Sequence, residues 1–488
     1  MEYFGSIDQG TTSTRFIVFS DDHKRVFSHQ VEIQQFLPQP GYVEHNPEEI
    51  WESVIKCVDE VSKQFNLSLL TSIGITNQRE TTIAWRKSTG KHLYNALVWQ
   101  DTRTQEICNT ISEIESLKDE FNKTGLPVAT YFSLSKIIWL INNIEAVKDA
   151  LEDDDICFGT VDSWLLYKIT GEHLTDITNA SRTLLYDLYK QKWNKSIISY
   201  FKIPYNSLPQ IKPSLSVFAK QTKIFKNVPI TAVLGDQQAS LFGHKGFTKG
   251  SVKNTYGTGC FLLSNTGNDI ILSKEGLLTT VAYQIENEEP VYALEGSVAI
   301  AGAAIQWLRD NIGIINKSSE VENLALSVKD NGDVYFVPAF SGLFSPHWDP
   351  TARGTLVGLS RHSNKSHIAR AVLESVVYQV NEILIALELD LDKELTTLYV
   401  DGGMVNNNLL MQYQADISDV QIQSQNLNEM TAYGAALASF VYVNNLNVSS
   451  LIRTKNTGRT WSPNMSLDNR KKYITRWNKA LEKAKNWL

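Results

Sequence analysis

A chain of 488 residues is longer than one hydrophobic core fills, about 250–300 residues, so more than one domain is expected. Its composition, 42% apolar and 20% charged, is that of a globular protein, and a formal net charge of -7 argues against a broad nucleic-acid footprint. An anionic small ligand stays open, because local cations and backbone N–H groups override a mildly acidic total.

The N-terminus, "MEYFGSIDQG", has no basic n-region and reaches Asp8 before any long apolar run, so no signal peptide is expected. No stretch approaches the roughly 18–20 apolar residues of a membrane span. Cys57, Cys108, Cys157 and Cys260 are scattered, without a C-x-x-C pair or a nearby His at metal spacing. A reducing compartment, the cytoplasm, is the expectation.

"YFGSIDQGTTSTRFIVFS" predicts a strand, a tight Gly-Thr-Thr turn and a second strand. "EEIWESVIKCVDEVSKQF" predicts a helix. "GITNQRETT" reads as a strand whose apolar Ile73 and Ile75 run into the polar cluster Thr76 to Glu80. Neighbouring strand side chains point to opposite faces, so Arg79 and Glu80 reach one small ligand together only if the chain leaves the strand near Gln78. "VLGDQQASLFG" ends an apolar strand at Gly235. Asp236 there is either the cap of the next helix or a carboxylate placed to accept a proton.

"SVKNTYGTGCFLLSN" repeats the style of the N-terminal hairpin, with a Gly-Thr-Gly tip. We take the chain as two related halves joined near Phe242 to Ser251, with domains at 1–246 and 247–488. In "RAVLESVVYQVNEILIALEL", Val372, Val376, Val380, Ile383 and Leu387 form a helical core stripe. "TTLYVDGGMVNNNLLMQYQADI" reads as strand, Gly-Gly turn and an Asn-capped helix. The tail "DNRKKYITRWNKALEKAKNWL" predicts a basic amphipathic helix packed on the second domain. Strands and helices alternate in both halves, so the class is α/β.

The chain has no G-x-x-x-x-G-K-[ST] loop, no strand–G-x-G-x-x-G–helix unit and no H-E-x-x-H. The two hairpin tips offer another phosphate device, closely spaced backbone N–H groups with hydroxyls. In the first, Thr11, Thr12 and Ser13 donate and Arg15 adds charge. Asp8 beside a phosphate calls for a cation between them, and Mg²⁺ takes carboxylate and phosphate oxygens together. Thr258 and Gly259 form the second tip, and Gly402 with Gly403 a third close-approach turn. Each of these, taken alone, is also accounted for as an ordinary turn.

Together, "SIDQGTTSTR", "QPGYVEHNPEEIW", "GITNQRETT", "VWQDTRT", "DITNASRTLLYDL", "LGDQQASLFGH", "NTYGTGCF", "ALEGSVAIAGAAIQWLRDN", "WDPTARGTLVGLSR" and "DGGMVNNNLLMQYQADI" resemble the FGGY carbohydrate kinases of the actin/hexokinase/heat-shock ATPase superfamily. The N-Q-R-E-T and G-D-Q-Q strings point to the glycerol branch. The resemblance implies two ribonuclease-H-like domains flanking a cleft. It implies ATP-dependent phosphorylation of glycerol to glycerol 3-phosphate, the first step of glycerol utilisation. By the same resemblance, glycerol is held by Arg79, Glu80, Trp99, Tyr131, Asp236, Gln237 and Phe261, with Asp236 as general base. The nucleotide is held by Thr11, Thr12, Ser13, Arg15, Thr258, Gly259, Gly302, Gln306, Gly403 and Asn407, with Asp8 acting through Mg²⁺. Family members are often dimers or tetramers, so a homodimer or homotetramer is open.

The sequence departs from the family at Ala129, Thr130 and Leu134 around Tyr131, and at Phe344 and His347. Some members carry, near "VFAKQTKIFKNVPITAV", a glycine-rich fructose 1,6-bisphosphate loop, and others a His that the sugar phosphotransferase system phosphorylates. This segment has neither, so neither control is expected. His45 is expected at a surface or in a capping role. Two other readings remain: a sister kinase acting on another polyol or ketose, and an actin-like or chaperone-like ATPase, which has no need of the N-Q-R-E-T segment.

Overall fold

The structure, a computed structural model, describes residues 2–222, 224–427, 429–451 and 458–488. Lys223, within the segment considered for regulation, lies outside the described residues.

The first sheet holds β1 (Tyr3–Gln9), β2 (Ser13–Ser20), β3 (Arg25–Glu32), β4 (Leu70–Asn77), β5 (Leu215–Ala219) and β6 (Ile230–Gly235), in the order β5-β6-β4-β1-β2-β3. β1, β2 and β3 form an antiparallel meander, and β1, β4 and β6 run parallel. The second sheet holds β7 (Val252–Tyr256), β8 (Cys260–Gly267), β9 (Leu278–Tyr283), β10 (Val291–Val298), β11 (Thr397–Asp401), β12 (Gln421–Ser424) and β13 (Thr460–Trp461). Its order is β9-β10-β8-β7-β11-β12-β13. β7, β8 and β10 are again antiparallel neighbours, while β7, β11 and β12 run parallel. Leaving β9 aside, the two sheets share one plan. The duplication suggested by two similar hairpins is therefore present in the strand order.

Parallel strands are buried on both faces, and helices supply the cover. α1 (Pro47–Ser62) starts where the Asn46 side chain accepts from the Glu48 N–H, with Pro47 in its first turn and Glu48 and Glu49 at its positive end. Its Ile50, Val54, Cys57, Val58 and Val61 pack into one core with Ile7, Phe16, Ile73 and Ile75 of the sheet. α2 (Asp236–Gly243) follows β6 directly, and α3 (Gly302–Asp310) follows β10. α4 (Lys365–Leu391) buries the predicted stripe against the second sheet.

α5 (Asn408–Ser418) is capped by Asn407. α6 (Met430–Val443) belongs to the second half of the sequence yet packs on β1, β4, β6 and α2 of the first. α7 (Leu467–Ala484) covers the second core with Trp477 stacked on Tyr378, 5.0 Å between ring centroids, as the amphipathic tail predicts. Among the described residues no helix is long and apolar enough to cross a membrane, and the four cysteines are buried free thiols.

The α6 crossing depends on glycine. A Cβ at Gly434 would lie 1.7 Å from the Ala239 carbonyl oxygen, and one at Gly74 would lie 2.0 Å from that of Ala435. Helix propensity alone favours Ala over Gly by about 1 kcal/mol, so Gly434→Ala tests the packing with opposite sign. We expect it to destabilise the protein by roughly 1–3 kcal/mol through overpacking. An unchanged or raised urea midpoint would contradict this crossing.

Candidate active site

The first tip predicted to bind phosphate is Gly10–Thr12 between β1 and β2, closed by a hydrogen bond from the Gly10 N–H to the Ser13 carbonyl. The register pairs Asp8 with Arg15, and their side chains approach to 3.6 Å. Arg15 also donates from Nε to Gln30 Oε1. Burial raises the Asp8 carboxyl to about 6; Arg15 opposes the shift and Asp236 adds to it.

The second tip, Gly257–Gly259, is tied to the start of α3. The Thr258 carbonyl accepts from the N–H groups of Ala301 and Ala303, and the Gly257 carbonyl from Gly302. The third turn lies against it: Gly402 has φ 95° and a Cβ there would meet the Tyr256 carbonyl at 2.3 Å, so only glycine fits. Thr258, Gly302, Gln306, Gly403 and Asn407 line one cavity of about 460 Å³ with Ile305 and Met404. Gly259 does not line it; its backbone packs on Val298, whose oxygen would lie 2.4 Å from a Cβ. Thr11 and Thr12 of the first tip, and Ser13 and Arg15 of β2, do not line this cavity.

β4 ends at Asn77, one residue before Gln78, so Arg79 and Glu80 leave the strand pattern as expected. Both are buried. Arg79 forks onto Glu295 of β10, with Nη1 to Oε2 at 2.5 Å and Nη2 to Oε1 at 2.8 Å. Its Nε lies 3.2 Å from Asp236 Oδ1, and it also donates to Gln238 and Tyr131. Arg182 donates from Nε to Glu80 at 2.7 Å and from Nη2 to Glu295 at 3.0 Å. Burial alone would raise the Glu295 carboxyl; Arg182 and Arg79 outweigh it and hold it near 2.

Asp236 is the first residue of α2, behind Gly235. It is therefore not that helix's cap, and its carboxylate sits at the positive helix end. Its side chain keeps 29% of its surface exposed, against 2% for Arg79. Burial raises its pKa, and Arg79 offsets part of the rise. Gln237 follows, buried, with its Oε1 held by Lys253 Nζ at 2.6 Å.

Trp99 forms edge contacts with Tyr131 and with Phe261, each 5.7 Å between centroids. Its indole N–H donates to Thr11 Oγ1 at 3.0 Å, which joins this aromatic wall to the first phosphate tip. Phe344 packs on Tyr131, and His347 meets Glu382 at 3.3 Å. The seven residues assigned to glycerol are thus linked through direct contacts and through Glu295, Arg182 and Lys253.

Those three linking residues were not singled out by sequence reasoning. For Glu295 the available signal was a charge inside a mostly apolar strand, "VYALEGSV"; Lys253 in the polar "VKNTY" and Arg182 carried none. His45 is a correction. It is buried, with Nδ1 3.3 Å from Gln78 Nε2, and burial pushes its pKa down to about 4. Neither a surface nor a capping role fits, because Asn46 supplies the cap.

Residues 3–243 match the N-terminal domain model of the FGGY family of carbohydrate kinases, and residues 252–442 match its C-terminal domain model. The chain is 47% identical to a glycerol kinase of Brucella anthropi, over 100% of this chain and 99% of that one. It is 46% identical to a glycerol kinase of Leifsonia xyli, over 100% and 98%. Among solved structures, Plasmodium falciparum glycerol kinase with ADP is similar at TM-score 0.89 and 37% identity, covering 99% of this chain and 98% of that one. A xylulose kinase from Lactobacillus acidophilus, at TM-score 0.85 and 19% identity over 99% and 97%, shares the fold.

Glu295→Gln removes the carboxylate between two buried guanidiniums. Breaking a buried pair in this way costs roughly 3–5 kcal/mol, read as a lowered urea midpoint at pH 7. The folded pKa of Glu295 is depressed, from 4.5 to about 2. Its stabilisation is therefore full above the unfolded value and fades as pH falls through the range between them. The stability gap between wild type and variant holds above the unfolded value and narrows as pH falls from 4.5 toward about 2; a gap that stays constant there contradicts the assignment.

Proposed function

The chain belongs to the FGGY family of carbohydrate kinases, and from that premise we propose that it transfers the γ-phosphoryl group of ATP to a terminal hydroxyl of glycerol. The products are sn-glycerol 3-phosphate and ADP. Full-length similarity to glycerol kinases supports the substrate pair. The observation that carries the mechanism is Asp236, a partly exposed carboxylate in contact with the buried Arg79 and followed directly by Gln237.

In this reading Arg79 and Glu80 form the floor of the glycerol site, and Asp236 and Gln237 meet its hydroxyls. Trp99, Tyr131 and Phe261 cover the C–H edge. Such a site rejects analogues that lack a hydroxyl, since its buried polar groups would lose a partner. Asp236 takes the proton of the attacking hydroxyl, the oxygen forms a bond to the γ-phosphorus, and the bond to the β-bridging oxygen breaks in line, releasing ADP. A raised pKa brings the base nearer to neutral pH, where it accepts a proton most effectively.

The adenosine end occupies the cavity of Thr258, Gly302, Gln306, Gly403 and Asn407. Thr11, Thr12, Ser13 and Arg15 face the transferred phosphoryl group. Among the described residues no group of three or more His, Cys, Asp or Glu gathers as a metal cage. Asp8, through water, would hold a Mg²⁺ ion there, and the ion would neutralise charge on the phosphates. We divide the chain at 246 and 247, with the first phosphate tip and most glycerol residues in 1–246 and the adenosine cavity in 247–488. The free thiols suit a reducing compartment, and we place the reaction in the cytoplasm.

A coupled assay of ADP release with glycerol, dihydroxyacetone and a pentulose tests the substrate. Glycerol should give the highest kcat/KM, and a pentulose preference would overturn the assignment. Asp236→Asn should lower kcat about 10²–10⁴-fold while calorimetry finds ATP bound as in wild type; near-normal turnover removes Asp236 as the base.

A further inference from the structure

Lys253 is the second residue of β7 and is fully buried. Lys253 and Thr255 are two apart on one strand and share a face, and that face meets α2. The ammonium has three hydrogens and three acceptors: Gln237 Oε1 at 2.6 Å, Thr255 Oγ1 at 3.0 Å and the Phe261 carbonyl at 3.2 Å. Two of the three belong to residues assigned to glycerol.

An ammonium group donates and never accepts. A protonated Lys253 can therefore face only the oxygen end of the Gln237 amide, which leaves the NH₂ end for the cleft. We propose that Lys253 is a positioning residue for the kinase reaction, fixing Gln237 as a hydrogen-bond donor toward a glycerol hydroxyl and pinning the backbone of the Phe261 wall beside it. The inference rests on the glycerol reading above and goes beyond it by setting the polarity of one contact.

The charge on Lys253 is balanced from several elements. Burial lowers its pKa to about 8; Asp401 of β11, Asp236 of α2 and Glu295 of β10 favour the ammonium, and Arg79 opposes it. Near pH 7 the ammonium form predominates. Above about 8 the free amine carries a lone pair, both ends of the amide become acceptable to it, and the orientation of Gln237 is released.

The test is steady-state kinetics on the full chain, beginning with wild type. Wild-type protein that releases no ADP with glycerol overturns the activity reading and this inference with it; with that activity present, the variants test Lys253 alone. Lys253→Met should raise the KM for glycerol about tenfold or more, the loss expected for a charge-assisted hydrogen bond, with the KM for ATP nearly unchanged. Gln237→Ala should cost much less in the Lys253→Met background than in wild type, because the two act as one unit. In wild type the glycerol KM should rise above pH 8, and in Lys253→Met that rise should be absent.

Equal increases in both KM values, an additive cycle, or a pH-independent wild-type KM each overturn the proposal. If Lys253→Met does not fold, Gln237→Glu takes its place: the carboxylate still accepts from Lys253 but offers the cleft no N–H. A glycerol KM about tenfold or more above wild type supports the donor assignment, and a wild-type value overturns it.

Discussion

Two guanidiniums and three carboxylates are buried or half-buried together where the two halves of this protein meet. Arg79, Glu80 and Arg182 come from the first half, Glu295 from the second, and Asp236 from the helix that ends the first. Taking ions out of water costs several kcal/mol each, so such a cluster holds only when nearly every charge finds an opposite one with good geometry. Arg79 meets this with all three of its nitrogens, and Glu295 with both oxygens. Lys253 adds a sixth charge, which favours the ionised forms of Asp236 and Glu295. Registry between the halves is thereby set by electrostatics at the point where a substrate would meet both.

The repeated sheet plan accounts for the Gly/Thr hairpin tips lying at the same sheet edge as this cluster. In each sheet the hairpin β1–β2 or β7–β8 lies beside a parallel strand, β4 or β11, that ends at the same edge. Ligands in open α/β sheets bind beyond the carboxyl ends of such strands. In the first half that edge carries Arg79 and Glu80; in the second it carries the Gly402–Gly403 turn. One architecture used twice brings a Gly/Thr turn from each half to the same edge, beside Arg79 and Glu80 of the first half and Gly402–Gly403 of the second. α6 then binds the halves, its glycine and alanines letting its backbone approach β4 and α2.

What was legible in the sequence was local. Gly/Thr tips, the Asn46 and Asn407 caps, the α4 stripe and the break after Asn77 each depend on a few neighbouring residues, and the structure places them as read. The members of the candidate site were legible through resemblance. Their partners were not, because Glu295 is 216 residues from Arg79 and Arg182 is 102 from Glu80. A charge in an apolar strand reads as an anomaly until its counter-ion is seen across the fold. His45 was misread for the same reason: its partner Gln78 lies on another segment, and a polar string near a helix start suggested a cap that Asn46 provides.

The division of exposure within the cluster bears on function. Arg79, Glu80, Arg182 and Glu295 have side chains at most 2% exposed, whereas Asp236 retains 29%. Four of the five charges are thus committed to one another before any ligand arrives, and they cannot reorient without breaking several bonds at once. The fifth, Asp236, keeps part of its surface exposed and is held by Arg79, which the other three fix in place. Preorganised charge of this kind needs no rearrangement when a proton moves. Among these five charges, Asp236 alone combines partial exposure with a pKa raised by its surroundings. A neutral cluster of the same shape would hold the halves together as well, but it would leave the carboxylate without the guanidinium that fixes its orientation. The buried charges therefore fix the orientation of the one carboxylate among them that stays partly exposed, the group proposed as the base.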